Sequence, residues 1–315
     1  MKRNIVIGPP GTGKTTFLKD KVDALINGGH CRADEIGYFS FTVKAAEEIR
    51  DRVTKEEWSE AELKKMYPYF CTLHSLAYKR LQLQQSQIMD QSDYDDLSRD
   101  TGRFFVNKMK KGNGMDISMP TAKSEYQDLI NLAYAKFPDS DDRLNQVFRT
   151  VKLSDYGARN TIEQMDVDLK NFKRDRDKLE YVDYFNHFLK RKNPPPLKYL
   201  FVDEAQDLSA HQWQVINMIQ EVAKPIETYV AGDDDQAIFR WAGADIEHFI
   251  DMAQDENNTI IPLTQSYRIP KSVHTLATFL AQSISRRIDK SYKPRDEEGE
   301  RKVLNIRPLN KGLAE

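Results

Sequence analysis

The chain has 315 residues, of which 39% are hydrophobic and 30% are charged, and its formal net charge at pH 7 is −2. That length accommodates about two domains. The lack of a long apolar run excludes a membrane span or a signal peptide. The two cysteines, Cys31 and Cys71, exclude a disulfide framework and favour the reducing cytoplasm. The near-neutral charge excludes a protein that coats nucleic acid through bulk positive charge, although it permits a local binding groove.

The first predicted element is a short β-strand at 5–7, followed by a glycine-rich loop and an amphipathic helix. Residues 8–15 fit the phosphate-loop pattern G-x-x-x-x-G-K-[ST] in the strand–loop–helix context that the pattern needs. Glycines let backbone N–H groups surround an anion, Lys14 can reach the β- and γ-phosphates, and the Thr15 hydroxyl can hold Mg²⁺. We therefore expect a nucleotide to bind Gly8, Pro9, Pro10, Gly11, Thr12, Gly13, Lys14, Thr15 and Thr16.

Two further strand-like segments, 35–42 and 69–72, alternate with helical patterns. Such alternation predicts a parallel sheet covered by helices on both faces. Residues 84–178 then carry dense charge and helical patches without a strand of the core type, so we expect a mostly helical insertion there. Two basic runs within it, 108–111 and 170–178, are compatible with phosphate contacts, but such runs are more often solvated faces.

The core pattern resumes near residue 181 and places two carboxylates directly after an apolar strand. The strand at 198–202 ends at Asp203 and Glu204, and ligands bind at the carboxyl ends of parallel strands. Asp203 is suited to hold Mg²⁺, and Glu204 to orient or deprotonate the water that attacks a γ-phosphate. The alternative is that Asp203 and Glu204 are only the acidic first turn of a helix. Because the chain also carries a phosphate loop, this alternative is the weaker interpretation.

The remaining elements continue the same alternation. Ser209 with Gln212 three residues later is a capping box, which predicts the start of a helix. Strands are expected at 228–231 and 259–263. Apolar residues between 273 and 284 recur at helical spacing and predict a last helix.

Six motifs occur in order along the chain: the phosphate loop, Phe41-Thr42-Val43-Lys44-Ala45-Ala46, Thr72-Leu73-His74-Ser75, Asp203-Glu204-Ala205-Gln206-Asp207, Gly232-Asp233-Asp234-Asp235-Gln236-Ala237-Ile238-Phe239 and Leu263-Thr264-Gln265-Ser266-Tyr267-Arg268. Together they resemble the superfamily-one DNA helicases of the UvrD/Rep type. The resemblance covers residues 1 to about 270 and leaves the insertion unmatched in detail. It implies a RecA-like P-loop NTPase that uses ATP and Mg²⁺, binds single-stranded DNA and, as a complete protein, moves in the 3′ to 5′ direction.

The resemblance implies roles for three residues at the nucleotide. Gln236 would sense the γ-phosphate from the side opposite Lys14, Arg268 would act as an arginine finger, and Tyr267 would stack on the adenine. The family's adenine-reading glutamine would precede the phosphate loop, where Met1 leaves no room for it.

DNA contacts are implied by the same resemblance. Phe41 and Trp241 would stack on unpaired bases, and sugar and phosphate groups would be contacted by Thr42, Lys44, Thr72 and His74. Structural alternatives stay open for three of these residues, because Phe41 and Trp241 could be core residues and His74 could cap its helix.

The resemblance divides the chain into three parts. Residues 1–83 and 179–253 would form the RecA-like ATP-binding core, 84–178 the helical insertion, and 254–315 the truncated start of a second RecA-like domain. The remaining motor half would be supplied in cis or by a separate chain. Two rival functions are an ATP-gated module that binds single-stranded DNA without translocation, and a small-molecule or nucleoside kinase. The kinase interpretation fails because it gives no role to Gln236 or to the motif from Phe41 to Ala46.

Overall fold

The centre of the molecule is a six-stranded sheet. The computed structural model describes residues 2–41, 46–47, 58–107 and 124–300, and its strands are β1 (Lys2–Ile7), β2 (Ile36–Phe39), β3 (Phe70–Cys71), β4 (Tyr199–Val202), β5 (Glu227–Gly232) and β6 (Thr259–Pro262). Their spatial order is β3-β2-β4-β5-β1-β6, and all neighbours run parallel. The predicted α/β fold with a parallel sheet is confirmed.

Each central strand is buried on both faces. In β1, Ile5 and Ile7 contribute to one hydrophobic cluster and Val6 to another on the opposite side of the sheet. Strands covered by helices on both sides read as continuous apolar runs rather than alternating ones, which is why these short segments could be recognised in the sequence. Cys31 and Cys71 are both buried, and neither forms a disulfide among the described residues.

Helices cover the two faces, and several of them begin at a residue whose side chain caps the first turn. The predicted capping box is confirmed: Ser209 Oγ accepts from the Gln212 N–H, and the Gln212 side chain accepts from the Ser209 N–H at 2.8 Å. Among the described helices, none combines the length and hydropathy needed to span a membrane. The helices are α1 (Lys14–Asn27), α2 (Glu60–Met66), α3 (Leu73–Leu81), α4 (Gln91–Thr101), α5 (Glu125–Lys136), α6 (Arg143–Thr150), α7 (Tyr156–Asp175), α8 (Tyr181–Arg191), α9 (Ala210–Ala223), α10 (Ile246–Gln254) and α11 (Lys271–Ala281).

Helices α4 to α7 pack around a hydrophobic cluster of their own, which includes Leu97, Phe148 and Ile162. Several hydrogen bonds tie this group to the rest of the chain. The Met89 N–H donates to the Leu179 carbonyl at 3.1 Å, and the Tyr94 hydroxyl donates to Glu180 at 2.6 Å. The described part of 84–178 is therefore helical and contributes no strand to the sheet.

Strand β6 corrects one predicted boundary. The sequence interpretation assigned residues from 254 onward to a second domain, but β6 pairs with β1, with Thr259 opposite Asn4 and Pro262 opposite Ile7. Strand β6 is apolar and follows a helix, so its own sequence does not reveal which sheet it joins. The first sheet therefore continues past the predicted boundary.

The basic run at 170–178 is neutralised within the fold. Each of its five basic side chains lies within ion-pair distance of a carboxylate, as in the pair of Lys170 with Asp166 at 2.6 Å and that of Lys178 with Asp93 at 2.9 Å. This pairing favours the structural interpretation of the run over phosphate binding. The run at 108–111 lies outside the described residues.

Candidate nucleotide-binding site and aromatic surface

Four strand ends meet along one edge of the sheet. Strands β4, β5, β1 and β6 lie side by side and parallel, so the residues that follow them share the carboxyl edge. Backbone bonds join these segments, because the Gly8 N–H donates to the Gly232 carbonyl at 3.2 Å and the Leu263 N–H donates to the Ile7 carbonyl at 2.8 Å. The phosphate loop thus lies between the acidic segment after β5 and the segment after β6.

The phosphate loop curls around the side chain of its own lysine. Gly11 and Gly13 adopt φ values of +72° and +84°, which glycine reaches without a steric penalty. Lys14 Nζ donates to the Gly8 carbonyl at 2.9 Å, and the Lys14 side chain is only 9% exposed. The lysine charge is therefore held within the loop rather than directed to solvent.

The other loop residues close or flank this curl. The buried Thr12 donates from its hydroxyl to the Pro9 carbonyl at 2.8 Å and from its N–H to the same oxygen at 3.2 Å. Pro10 presents its carbonyl to the segment after β6. Thr16 is exposed on the first turn of α1, so its side chain faces away from the buried part of the loop.

Thr15 and Asp203, which the sequence predicts to hold Mg²⁺, contact each other directly. Thr15 Oγ1 donates to Asp203 Oδ2 at 3.0 Å, and the Tyr38 hydroxyl donates to the same oxygen at 2.8 Å. Burial raises the pKa of Asp203 and the neighbouring Glu204 carboxylate adds to this, while the bonds from Tyr38 and Thr15 oppose it. A carboxylate beside a hydroxyl supplies the oxygen ligands that Mg²⁺ prefers, so these residues fit that ion.

Tyr38 has no motif in the sequence, and sequence reasoning missed it. Its ring belongs to an aromatic ladder across β3, β2, β4 and β5, with centroid separations of 5.5 Å to Phe70, 6.1 Å to Phe201, and 5.0 Å between Phe201 and Tyr229. Aromatic cross-strand pairs of this kind stabilise a sheet. The ladder fixes the ring and so directs its hydroxyl at Asp203.

Glu204 has a left-handed backbone, with φ 53° and ψ 45°. Its Oε2 lies 4.0 Å from Lys14 Nζ and accepts from Gln206 Nε2 at 3.0 Å. The same amide nitrogen is 3.2 Å from Asp207 Oδ2, and Gln206 Oε1 accepts from the Asp233 N–H at 3.0 Å. Gln206 thereby links the carboxylates after β4 to the backbone after β5. Gln206 belongs to a motif recognised in the sequence, but this linking role could not be predicted from it.

Gln236 is tethered to the end of β5. Its Nε2 donates to Asp233 Oδ2, and Asp233 is fully buried. Since Asp233 follows Gly232, which is bonded to Gly8, the Gln236 amide belongs to the same edge of the sheet as the phosphate loop. Thr15, Asp203 and Glu204 are thus joined by direct bonds, and Gln236 is linked to Glu204 through Asp233 and Gln206.

Arg268 is anchored beside the phosphate loop through its backbone. Ser266 is fully buried, and its hydroxyl donates to the Pro10 carbonyl at 2.7 Å. The Tyr267 N–H donates to the Gly11 carbonyl at 2.9 Å, and a Cβ built on Gly11 would lie 2.3 Å from Arg268 Cβ. Glycine at position 11 therefore permits this close approach, while the side chains of Tyr267 and Arg268 are exposed.

Three aromatic rings form a second candidate surface. Phe41 stacks on Phe239 with a centroid distance of 5.5 Å, and Phe239 lies 6.4 Å from Trp241. Phe41 also packs partly against the core, whereas Trp241 is 38% exposed. Sequence reasoning missed Phe239, whose spacing of two residues from Trp241 was the available signal. We call Phe41, Phe239 and Trp241 the aromatic row; Thr42 and Lys44 lie outside the described residues.

Thr72 and His74 have structural roles at the start of α3. Thr72 is the N-cap, since its hydroxyl accepts from the Ser75 N–H at 3.2 Å, so His74 does not cap the helix. The His74 ring packs against Phe185 at 4.1 Å and Tyr181 at 4.6 Å. Burial, with a smaller effect of His211, lowers the pKa of His74 to about 3, so the neutral ring offers no positive charge to a phosphate.

This environment makes a prediction for stability. An imidazole that is neutral in the fold and protonated when unfolded contributes stability above pH 6.5 that is lost as the pH falls toward 3. Native chain should lose about 1–2 kcal/mol more unfolding free energy than His74→Phe between pH 7 and pH 5, as measured by urea denaturation. The comparison with the variant cancels other groups, such as Asp207, whose pKa burial raises to about 7. Equal losses in both proteins would show that His74 titrates normally.

Comparisons with known proteins find a family model and several similar DNA helicases. The model of the UvrD/REP helicase N-terminal domain family matches residues 1–257. The ATP-dependent DNA helicase PcrA of Staphylococcus aureus is 25% identical over 311 residues. A probable DNA helicase of Mycoplasma pneumoniae is 27% identical over 299 residues, and DNA helicase II of Haemophilus influenzae is 24% identical over 310 residues.

The matches cover most of this chain but only part of each relative. They span 94%, 90% and 94% of this chain, and 40%, 54% and 41% of the respective relatives. The chain thus corresponds to about half, or less, of the length of the relatives it matches.

Proposed function

Because the chain belongs to the family of the UvrD/REP helicase N-terminal domain, we propose that it binds Mg-ATP and single-stranded DNA and forms the ATP-binding part of a DNA helicase. In the complete motor, ATP hydrolysis drives movement in the 3′ to 5′ direction. Residues 1–83 and 179–253 together with β6 form the RecA-like core, 84–178 the insertion, and the residues after β6 the start of a second domain.

The observation that carries this proposal is the contact between the phosphate loop and two unlike carboxylates. Thr15 Oγ1 lies 3.0 Å from Asp203, and Lys14 Nζ lies 4.0 Å from Glu204. Asp203 is 2% exposed, whereas the Glu204 side chain is 39% exposed. A buried carboxylate next to a hydroxyl suits a metal ion, and an accessible one can take a proton from water.

The residues divide the chemistry between them. Lys14 exchanges the Gly8 carbonyl for the β- and γ-phosphate oxygens. Thr15 and Asp203 would hold Mg²⁺, which would supply positive charge to the phosphates. Glu204, held by the Gln206 amide, orients the attacking water and accepts its proton. Gln236 and Arg268 contact the γ-phosphate from the β5 and β6 sides, and Tyr267 stacks on the adenine.

DNA binding is assigned to the aromatic row. Aromatic faces stack on unpaired bases with little dependence on base identity. In the aromatic row, the centroids of neighbouring rings are 5.5 and 6.4 Å apart. The segment 240–242 follows Gln236 closely in the chain. Binding of a base to the row is therefore suited to influence the nucleotide site.

The proposal is tested by ATP hydrolysis measured with and without a single-stranded oligonucleotide. We expect turnover that single-stranded DNA stimulates and duplex DNA stimulates less, with none in Lys14→Ala. Oligonucleotide binding that depends on ATP without turnover would instead support the ATP-gated binding module. Turnover that ignores DNA would contradict the DNA part of the proposal.

A further inference from the structure

The segment 286–295 returns from α11 to the first sheet and crosses its carboxyl edge. We call it the return segment. Ile288 is buried in the main core cluster, 8% exposed. Farther along, the Lys293 N–H donates to the Thr264 carbonyl at 2.7 Å, and the Lys293 carbonyl accepts from the Ser266 N–H at 2.8 Å. The return segment therefore contacts the residues after both β5 and β6.

Its cations neutralise three consecutive carboxylates. Lys290 Nζ lies 3.0 Å from both Asp233 Oδ1 and Asp235 Oδ2 and contacts Asp234 Oδ1, with only 6% of its side chain exposed. Arg287 binds Asp235 through two bonds of 2.9 and 2.7 Å. Burial opposes the charge of Lys290, but the three carboxylates outweigh it and raise its pKa. Buried charges persist only when paired in this way.

The Asp233 carboxylate has a partner on each oxygen. Oδ1 faces Lys290 at 3.0 Å, and Oδ2 accepts from Gln236 Nε2. Resting on the proposed role of Gln236 at the γ-phosphate, we propose that Lys290 is a positioning residue that holds Gln236 in place through Asp233. Arg287 reinforces the arrangement from Asp235 but has no direct bond to the carboxylate that holds Gln236.

The physical reason is charge. Without Lys290, a fully buried Asp233 either takes up a proton or turns toward water, and both changes disturb the acceptor of the Gln236 amide. Lys290 also cancels a negative charge that would otherwise repel the phosphates. Because Gln236 contacts only the transferred phosphoryl group, its displacement should reduce kcat more than it raises KM.

The direct test follows the Gln236 side-chain amide by NMR in ¹⁵N-labelled chain, with the signal assigned through its loss in Gln236→Ala. In Lys290→Met the signal should move toward that of a solvent-exposed glutamine, and in Lys290→Arg it should stay near the native position. Lys293→Met, which alters an exposed lysine of the same segment, is the matched control. An unchanged Gln236 signal in folded Lys290→Met would overturn the proposal.

Kinetics give the second readout. Lys290→Met should lower kcat by roughly 10- to 100-fold, since a misplacement of about 1 Å can cost about 10² in rate, while Lys293→Met keeps the native value. In a Gln236→Ala background the same change should cost less than about twofold, because residues that act as a unit are not additive. Full additivity would show that Lys290 acts without Gln236.

A variant that retains a donor guards against misfolding. Lys290→Gln keeps an N–H in the buried cluster without the charge, and it carries both readouts if Lys290→Met does not fold. The amide signal needs no ATP turnover. A native chain that fails to hydrolyse ATP would therefore contradict the proposed function, while the NMR experiment still decides whether Lys290 positions Gln236.

Discussion

Glu204→Gln is expected to bind ATP at least as tightly as the native chain and to hydrolyse it roughly 10²- to 10⁴-fold more slowly. The amide keeps the shape of the side chain and can still accept the hydrogen bond from Gln206, but it cannot take a proton from water. Removing a negative charge 4.0 Å from Lys14 also lessens repulsion of the phosphates. Nucleotide titration and single-turnover hydrolysis measure the two effects separately.

Lys14→Ala should show the opposite division, with most of the ATP affinity lost because the loop loses the cation that it encloses. Glu221→Gln, an exposed glutamate on α9, controls for the loss of a carboxylate elsewhere. Equal losses of binding in Glu204→Gln and Lys14→Ala would contradict the assignment of one residue to binding and the other to catalysis.

Arg268→Ala is expected to lower the hydrolysis rate roughly 10³- to 10⁵-fold, the range that an arginine finger contributes in nucleotide hydrolases. The backbone around Arg268 is fixed against Pro10 and Gly11, so the side chain of Arg268 begins beside the phosphate loop. ADP affinity should change little, because the charge that Arg268 neutralises develops on the transferred group. Pre-steady-state measurement of phosphate release, together with ADP titration, tests both statements.

Two further variants sharpen this experiment. Arg268→Lys keeps the charge but loses the planar fork that can bind two phosphate oxygens at once, so it should recover only part of the rate. Lys271→Ala removes an exposed cation three residues farther on and should behave as the native chain. A loss in Lys271→Ala as large as that in Arg268→Ala would indicate a general electrostatic effect instead of a finger.

The sequence was sufficient for the parts of the molecule that depend on local pattern. Buried parallel strands read as apolar runs, and the phosphate loop is contiguous, so β1, α1 and the residues from Gly8 to Thr15 were recognisable. The carboxylates after β4 were placed by the rule that ligands bind at the carboxyl ends of strands. The capping box at Ser209 depends only on residues three apart, and it too was predicted correctly.

The parts that were missed depend on contacts between distant residues. Nothing near Tyr38 signals that its hydroxyl reaches Asp203, and nothing near Lys290 signals three carboxylates located more than fifty positions earlier in the chain. Strand β6 was assigned to the wrong domain because an apolar strand does not specify its neighbour. His74 fits a motif, yet its aromatic surroundings come mainly from α8.

The left-handed backbone of Glu204 lowers the stability of the fold at a position that we propose to be needed for catalysis. An L-residue with a side chain incurs a cost of about 1–2 kcal/mol in that conformation, and glycine does not. Selection for thermal stability alone would therefore favour glycine at position 204. The variant would be more stable but would lack the proposed proton acceptor. On the proposed role of Glu204, the glutamate at this position would favour turnover at some expense of stability.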